Sequence, residues 1–148
     1  MISAPDVMEA AVNYQSQTTS NISNISQRAA IAALNGDLSA VYEMRTAFDC
    51  RRKLMTSMLN AIDGVSCAEP EGAFYCYPNV SGLLGRTLGG RVAQSTTELA
   101  EILLETINIA VVPGEAFGTP GFFRLSSALG DADLVEGLER FANFVAAG

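Results

Sequence analysis

Apolar residues recur at every third or fourth position along much of the chain, which is the spacing of an α-helix with one buried face. The strongest such stretch steps from Leu38 to Ile62 through about seven turns and predicts one long amphipathic helix, broken at Asp63-Gly64. Four shorter helices are predicted from Pro5 to about Tyr14, from Ile25 to Leu34, from Ser95 through Ile107, and from Asp131 through Val145.

Residues that favour helix ends support these limits. Asn35-Gly36 predicts a left-handed C-cap for the second helix. The run Ser95-Thr96-Thr97-Glu98 matches the capping box that begins a helix. Asp131 is the predicted N-cap of the last helix.

Short apolar or alternating runs between the helices predict strands. They cover residues 65–68, 72–77, 107–112 and 122–126. The small, polar run from Gln15 to Asn24 and the glycine-rich run from Pro78 to Gln94 are predicted to be irregular. The order of these elements predicts an α+β fold, in which a small sheet of three to four strands packs against the helices on one side.

The composition predicts a soluble globular protein and argues against several functions. The chain has 148 residues, so residues 1–148 are predicted to form a single domain. Apolar residues make up 49% and charged residues 17%, which excludes a mainly disordered chain. A net charge of −7 argues against nucleic-acid binding. No apolar run reaches the ~18 residues of a membrane span, and without a secretory signal a cytoplasmic location is expected.

Reactive side chains are few. The chain has no histidine, which removes the commonest general base and metal ligand. The three cysteines, Cys50, Cys67 and Cys76, show no C-x-x-C spacing, so neither a metal site nor a disulfide is predicted. The single lysine, Lys53, follows two arginines that would tend to lower its pKa, but a solvated helix face is the simpler interpretation.

Three places could carry chemistry. Arg124, in GFFRLSSA, faces away from Phe123 and Leu125 by strand alternation, and is either a solvated strand position or a planar fork for a carboxylate. The run VVPGEAFG, residues 111–118, is either a plain turn or a place where backbone approaches a ligand closely. The polar run of residues 15–24 is either an ordinary loop or an interface.

The ordered set of motifs resembles the C-terminal domain of class I aminotransferases, the fold type I enzymes that depend on pyridoxal 5'-phosphate (PLP) and are similar to aspartate aminotransferase. The motifs are SAPDVMEAA, QSQTTSN with SQRAAIAAL after it, PEGAFYCYPNV, IAVVPGEAFG and GFFRLSSA. The resemblance covers nearly the whole chain. It implies the α+β small domain of an enzyme that transfers an amino group between an amino acid and a 2-oxo acid.

The resemblance implies a role for five residues. Arg124 matches the arginine that grips the α-carboxylate of the substrate, which favours the carboxylate interpretation. Phe117 and Gly118 match a segment that lines the substrate entrance. Ser20 and Asn21 match a stretch that borders the neighbouring subunit's active site in the dimer.

The same resemblance limits what this chain is expected to do alone. Lys53 does not match the family's Schiff-base lysine, which with most cofactor ligands belongs to an N-terminal large domain. No catalytic residue is therefore expected in this chain, and PLP is expected to bind the intact enzyme but not this chain by itself. At Ser16 the chain lacks the arginine that binds a distal carboxylate in the animal-type enzymes, so aspartate specificity would need another residue.

The implied partners are the large domain and a second subunit in a homodimer. Residues 1–24 are expected to form a segment at an interface between domains. The alternative hypothesis is a non-catalytic α+β module that binds or assembles with a partner.

Overall fold

The computed structural model describes residues 2–148, which contain five α-helices and five short strands. The helices are α1 (Pro5–Thr18), α2 (Asn24–Asn35), α3 (Ser39–Asn60), α4 (Thr96–Ile107) and α5 (Asp131–Ala146). The strands are β1 (Tyr75–Cys76), β2 (Thr87–Leu88), β3 (Arg91–Val92), β4 (Val112–Pro113) and β5 (Phe123–Ser126). The chain divides into two compact units, the first ending at Tyr42 and the second spanning Glu43–Gly148.

The first unit consists of α1, α2 and the beginning of α3. No residue of α1 or α2 is buried, although the structure describes every residue of both helices. Their exposed apolar side chains are Val7, Val12, Tyr14, Ile25, Ile31 and Leu34. Exposed apolar side chains on neighbouring helices are typical of a surface that packs against another one. The single domain over residues 1–148, with residues 1–24 at an interface, stays a prediction.

In the second unit, β5 is the central strand of a three-stranded antiparallel sheet of order β1-β5-β4. Tyr75 of β1 pairs with Ser126, and Val112 of β4 pairs with Arg124. β2 and β3 form a separate antiparallel hairpin. The predicted α+β fold, with a small sheet and one long helix, is confirmed.

The C-terminal half of α3 and the helices α4 and α5 bury the faces that their apolar spacing predicts, whereas Val41 near the start of α3 is exposed. Phe123 of β5 has no exposed surface and belongs to the same core. The predicted helix residues in this core are Met55, Leu59 and Ile62 of the α3 region, Leu99, Ile102 and Leu103 of α4, and Leu134, Leu138, Phe141 and Val145 of α5. Full burial of such a side chain contributes about 1.5–3 kcal/mol, so this core is the main stabilising element of the unit.

The ends of α1 and α2 differ from the prediction because side chains satisfy the helix carbonyls. α1 continues to Thr18, whose hydroxyl donates to the carbonyl of Tyr14 at 2.9 Å, so the irregular run predicted from residue 15 begins later. Gly36 is extended, with φ −84° and ψ −165°, so the predicted left-handed cap was wrong. The Asn35 amide instead donates to the carbonyl of Ile31 at 2.9 Å.

Two predicted strands were also largely wrong. α4 runs to Ile107 and ends at Asn108, whose φ of 53° gives the left-handed cap that asparagine tolerates. Only Val112–Pro113 of the apolar run that follows is paired as a strand. Residues 65–68 contribute a single bridge, between Ser66 and Asn79.

The predicted irregular run from Pro78 to Gln94 contains regular structure. It forms a short 3₁₀ turn, Ser81–Leu83, and then the β2–β3 hairpin. Gly89 and Gly90 connect the two strands with φ of 57° and 75°, the positive values that a two-residue hairpin turn requires. The Gly89-Gly90 pair in the sequence therefore indicated a β-hairpin.

The two predicted N-terminal helix caps differ in outcome. Ser95 caps α4 and accepts a hydrogen bond from the Glu98 N–H at 3.2 Å. The Glu98 carboxylate completes a variant of the capping box, since it accepts from the N–H of Gln94 at 2.7 Å. Asp131 is the first residue of α5, and Gly130 takes the cap position that was predicted for Asp131.

Within residues 2–148, no helix is both long and apolar enough to cross a lipid bilayer.

We expect Gly82→Ala to destabilise the second unit. A Cβ at Gly82 would lie 2.7 Å from the carbonyl oxygen and 2.8 Å from the Cα of Gly64, and both are backbone atoms that cannot rotate away. Overpacking of this kind costs about 1–3 kcal/mol. Urea unfolding followed by circular dichroism measures the change. Gly72→Ala is the matched control, because its Cβ would meet nothing within 4 Å, and an equal loss in both variants would contradict the prediction.

Candidate active-site face

Arg124 lies in the central strand β5, where alternation gives neighbouring side chains opposite directions. Phe123 is fully buried, whereas Arg124 is half-buried. Val112 pairs with Arg124 itself on one side of the strand, and Tyr75 pairs with Ser126 on the other. The Arg124 side chain therefore extends from a strand that is held on both edges.

Two aromatic rings contact the Arg124 guanidinium. Its Cζ lies 4.7 Å from the ring centroid of Tyr75 and 5.0 Å from that of Phe117. Tyr75 belongs to β1 and Phe117 follows β4, so the rings come from both neighbours of β5. Such cation–π contacts contribute about 0.5–1 kcal/mol each at exposed sites. They use the π faces of the rings and leave the guanidinium N–H donors available for an anion.

Arg124 has no acidic partner within residues 2–148. Six of the nine basic side chains form ion pairs there: Arg51, Arg52, Lys53, Arg86, Arg91 and Arg140. The other three are Arg28 and Arg45, which are exposed, and Arg124, which is half-buried. A partly desolvated cation without a counter-ion is unfavourable, and a bound anion would offset that cost. A planar guanidinium is best matched by a carboxylate or a phosphate.

Further aromatic residues extend this face. Tyr77 stacks on Phe122, with ring centroids 5.2 Å apart and planes 11° apart. It also meets Phe117 edge-on at 6.3 Å. Its hydroxyl is shielded from solvent and has no hydrogen-bond partner within the described part of the chain. Sequence reasoning assigned no role to Tyr75 or Tyr77, although the two-residue spacing in GAFYCY indicates that both side chains share one face.

Phe117 and Gly118 form the end of a tight turn after β4. The turn is the 3₁₀ segment Gly114–Phe117, and Gly118 follows it with φ of 73°, which favours glycine. A Cβ at Gly114 would overlap the backbone oxygen of Thr119, so glycine is required there as well. The structure brings Phe117 and Arg124 together, and Phe117 remains 49% exposed.

Ser20 and Asn21 belong to the first unit and are exposed. Ser20 has φ of 60° and its N–H donates to the carbonyl of Gln15 at 2.8 Å, which turns the chain after α1. Asn21 lines a shallow cleft of about 680 Å³ together with the side chains of Gln15 and Gln27. Their predicted roles stay predictions.

The basic cluster of α3 is more than a solvated helix face. Arg52 donates to Asp49 at 2.6 Å, to Glu69 at 2.6 Å and to the backbone oxygen of Pro70 at 2.7 Å, and its side chain is only 19% exposed. It therefore ties α3 to the loop that leads into β1, which carries Tyr75. A cleft of about 490 Å³ lies between this loop and α3, and Arg124 is not among its lining residues.

Lys53 is a surface ion-pair partner. Its Nζ lies 2.7 Å from Asp49 Oδ2, and this hydrogen bond raises the pKa of Lys53. Arg52 does tend to lower this pKa, as its position next to Lys53 predicts, but the carboxylate one turn away outweighs it.

The three cysteines are unpaired. No group of three or more histidine, cysteine, aspartate or glutamate side chains in residues 2–148 converges on a point that could hold a metal ion.

Comparison with known proteins identifies the family. Residues 1–141 match the family described as aminotransferase class I and II. The chain belongs to this family.

Its relatives include aspartate aminotransferases of several bacteria. The chain is 59% identical to the aspartate aminotransferase of Streptomyces avermitilis, over 95% of this chain and 34% of that protein. The crystal structure of the aspartate aminotransferase from Rhizobium meliloti superposes with a TM-score of 0.88 at 43% identity, over 95% of this chain and 36% of that one. The alanine aminotransferase of Pyrococcus furiosus gives a TM-score of 0.84 at 25% identity, over 97% of this chain and 35% of that one.

The predicted family and fold are therefore confirmed. The match also shows how much of its relatives' length this chain covers. The chain spans about a third of the length of the curated relatives it matches. The residues of the match include the strand that carries Arg124 and the turn that carries Phe117 and Gly118.

We expect the Asp49 carboxyl to titrate at unusually low pH. Hydrogen bonds from Lys53 and Arg52 lower its pKa from 3.8 to about 2. Because the pKa is lowered on folding, the stabilisation that these bonds add is complete above about pH 4 and is lost as the pH falls towards 2. Carbon-13 NMR of the carboxyl carbon measures the titration. Lys53→Met should raise the pKa of Asp49 and Lys53→Arg should not; equal values in both variants would contradict this.

Proposed function

We propose that this chain provides the substrate-carboxylate grip of an aspartate aminotransferase-like enzyme, with Arg124 as the binding residue. The observation that carries the proposal is the state of Arg124: half-buried, in contact with two aromatic rings, and without an acidic partner in residues 2–148. The guanidinium would hold the α-carboxylate of an amino acid or a 2-oxo acid by two parallel hydrogen bonds. Contact with Tyr75 and Phe117 restricts its motion, which favours one orientation of the substrate.

Phe117 and Gly118 are proposed to line the entrance to this site. Phe117 is half-exposed on the same face as Arg124, and the positive φ of Gly118 closes the turn that presents it. Ser20 and Asn21 are proposed to border the neighbouring subunit's active site in a homodimer. Their exposure, together with the unburied apolar side chains of α1 and α2, supports a contact surface in this unit.

The intact enzyme is proposed to use PLP, which supplies an electron sink for amino-group transfer. The described residues of this chain do not fit the cofactor. PLP requires an amine that loses its proton readily, whereas the only lysine, Lys53, is held protonated by its ion pair with Asp49. The lysine and the catalytic steps are therefore assigned to a large domain, and this chain to substrate binding.

Aspartate is the proposed donor because the Streptomyces avermitilis and Rhizobium meliloti relatives are named aspartate aminotransferases. Ser16 does not supply a positive charge for a distal carboxylate, so that group is proposed to bind outside this chain. A cytoplasmic location is proposed for the whole enzyme. The second candidate function is a non-catalytic binding or assembly module, which would use the exposed apolar side chains of α1 and α2 to contact a partner.

We expect Arg124→Lys to abolish most activity in a chimera. In the chimera, this chain replaces the matching third of the Streptomyces avermitilis enzyme, which the 59% identity makes structurally compatible. Lysine keeps the charge but loses the fork, and loss of such a contact costs about 2–5 kcal/mol, or roughly 30- to 5,000-fold in kcat/KM for aspartate. Steady-state kinetics and a melting curve measure activity and folding.

Arg45→Lys is the matched control, because Arg45 is exposed and forms no ion pair within residues 2–148. If Arg124→Lys changes kcat/KM by less than twofold, or unfolds the protein, Arg124 is a structural residue. A folded parent chimera that binds PLP but does not transaminate would favour the non-catalytic module.

We expect Lys53 of this chain alone to form no specific covalent bond with PLP, and the chain alone not to transaminate. The ion pair with Asp49 raises the pKa of Lys53, which lowers the fraction of its amine that is deprotonated and nucleophilic. The chain is incubated with PLP, treated with borohydride and digested, and the peptides are examined by mass spectrometry. Labelling of Lys53 above the level of a denatured control, together with transamination, would contradict the proposal.

A further inference from the structure

The turn that carries Phe117 needs an anchor, because burial holds Phe117 only weakly. The ring is 49% exposed, and it meets the Tyr77 ring in a T-shaped arrangement and the guanidinium of Arg124. A half-exposed aromatic side chain on a short turn would otherwise sample several rotamers. The side chain that restrains the turn is Glu115, two residues before Phe117.

Glu115 binds the first residue of α4. Its Oε1 accepts from the backbone N–H of Thr96 at 3.0 Å, and its Oε2 accepts from the hydroxyl of the same residue. Thr96 has no exposed surface, so Glu115 also supplies the partner that a buried hydroxyl requires. A carboxylate at a helix N-terminus gains further stabilisation from the helix dipole. The Thr96 hydroxyl is the main cause of the lowered pKa of Glu115, which is therefore ionised at neutral pH.

Backbone hydrogen bonds of the turn connect Glu115 with the segment that carries Phe117. The carbonyl of Glu115 accepts from the N–H of Gly118 at 3.1 Å, and the carbonyl of Gly114 accepts from the N–H of Thr119 at 2.9 Å. Gly114 is buried, and its N–H donates to the backbone carbonyl of Phe122 at 2.7 Å. These backbone hydrogen bonds hold the turn at Gly114 and Gly118, and the Glu115 side chain adds a link from the turn to α4.

We infer that Glu115 is a positioning residue, which fixes the turn to the N-terminus of α4 and so holds the Phe117 ring against the Arg124 guanidinium. Its effect on substrate binding rests on the proposed function of Arg124. The contact between Phe117 and Arg124 does not depend on that function, because its geometry can be measured without any substrate.

The first test measures that contact by NMR in the full chain. Phe117 should give a nuclear Overhauser effect to the Arg124 side chain and shift the Arg124 Hε resonance through its ring current. In Glu115→Ala both signals should be lost. Glu115→Gln keeps an amide oxygen that accepts from the Thr96 N–H, so both should be partly retained.

Three further variants separate positioning from general stability. Glu98→Gln makes the same chemical change at the same helix N-terminus, but Glu98 bonds Gln94 and not the turn, so the signals should persist. Thr96→Val removes the hydroxyl partner and should weaken the contact, and Thr96→Ser should restore it. An unchanged contact in both Glu115→Ala and Thr96→Val, or an equal loss in Glu98→Gln, would overturn the inference, whatever the melting temperatures are.

The second test measures binding of L-aspartate by chemical-shift titration. Its α-amide, which lacks the α-carboxylate, is the control ligand. Glu115→Ala should weaken L-aspartate binding about three- to tenfold, tenfold being 1.4 kcal/mol, and should leave the α-amide unchanged. If L-aspartate and the α-amide bind the parent chain equally, the proposed function fails while the NMR contact still decides the role of Glu115. If L-aspartate binds selectively and Glu115→Ala has no effect on its affinity or on the contact, only the role of Glu115 fails.

Discussion

The burial of Phe123 holds β5 against the helices, and strand alternation then places Arg124 on the opposite face. Both edges of β5 are paired, so the strand cannot rotate to bury the arginine instead. A one-residue slip would exchange the two side chains and place a charge in a core that contains Met55, Leu59 and Leu134. The cost of that exchange keeps the register, and the register keeps Arg124 available to an anion.

The surroundings of Arg124 come from elements far apart in the sequence. Tyr75, which contacts Arg124, lies in β1. Arg52 of α3 donates hydrogen bonds to Glu69 and to the backbone oxygen of Pro70, in the loop that precedes β1. Phe117 arrives from the turn after β4, which Glu115 ties to α4. Charged side chains thus tie the segments that precede both aromatic residues to the helices α3 and α4. Restraining a binding group before the ligand arrives lowers the entropy cost of binding, which is the physical value of such an arrangement.

The helices could be read from the sequence because burial of one helix face requires a fixed period. Leu99, Ile102, Leu103, Leu134 and Leu138 are buried as that period predicts. The element ends were less predictable, since they depend on hydrogen bonds such as those of Thr18 and Asn35. The strands were the least predictable: Ile109 to Val111 have strand-like side chains, but only Val112–Pro113 pair with β5. Strand pairing is non-local, and residue type alone does not specify it.

For the candidate site, the sequence by itself determined the direction of Arg124, because alternation along one strand is a local property. The ordered motifs also indicated the family, which the match over residues 1–141 confirms. Only the tertiary structure decided which groups surround the arginine. Tyr75 lies 49 residues before it and Glu115 bonds a residue 19 positions away, and both distances close only when the sheet and α4 pack together. That packing also leaves Arg124 without an acidic partner in residues 2–148, a property of three-dimensional arrangement that no sequence spacing encodes.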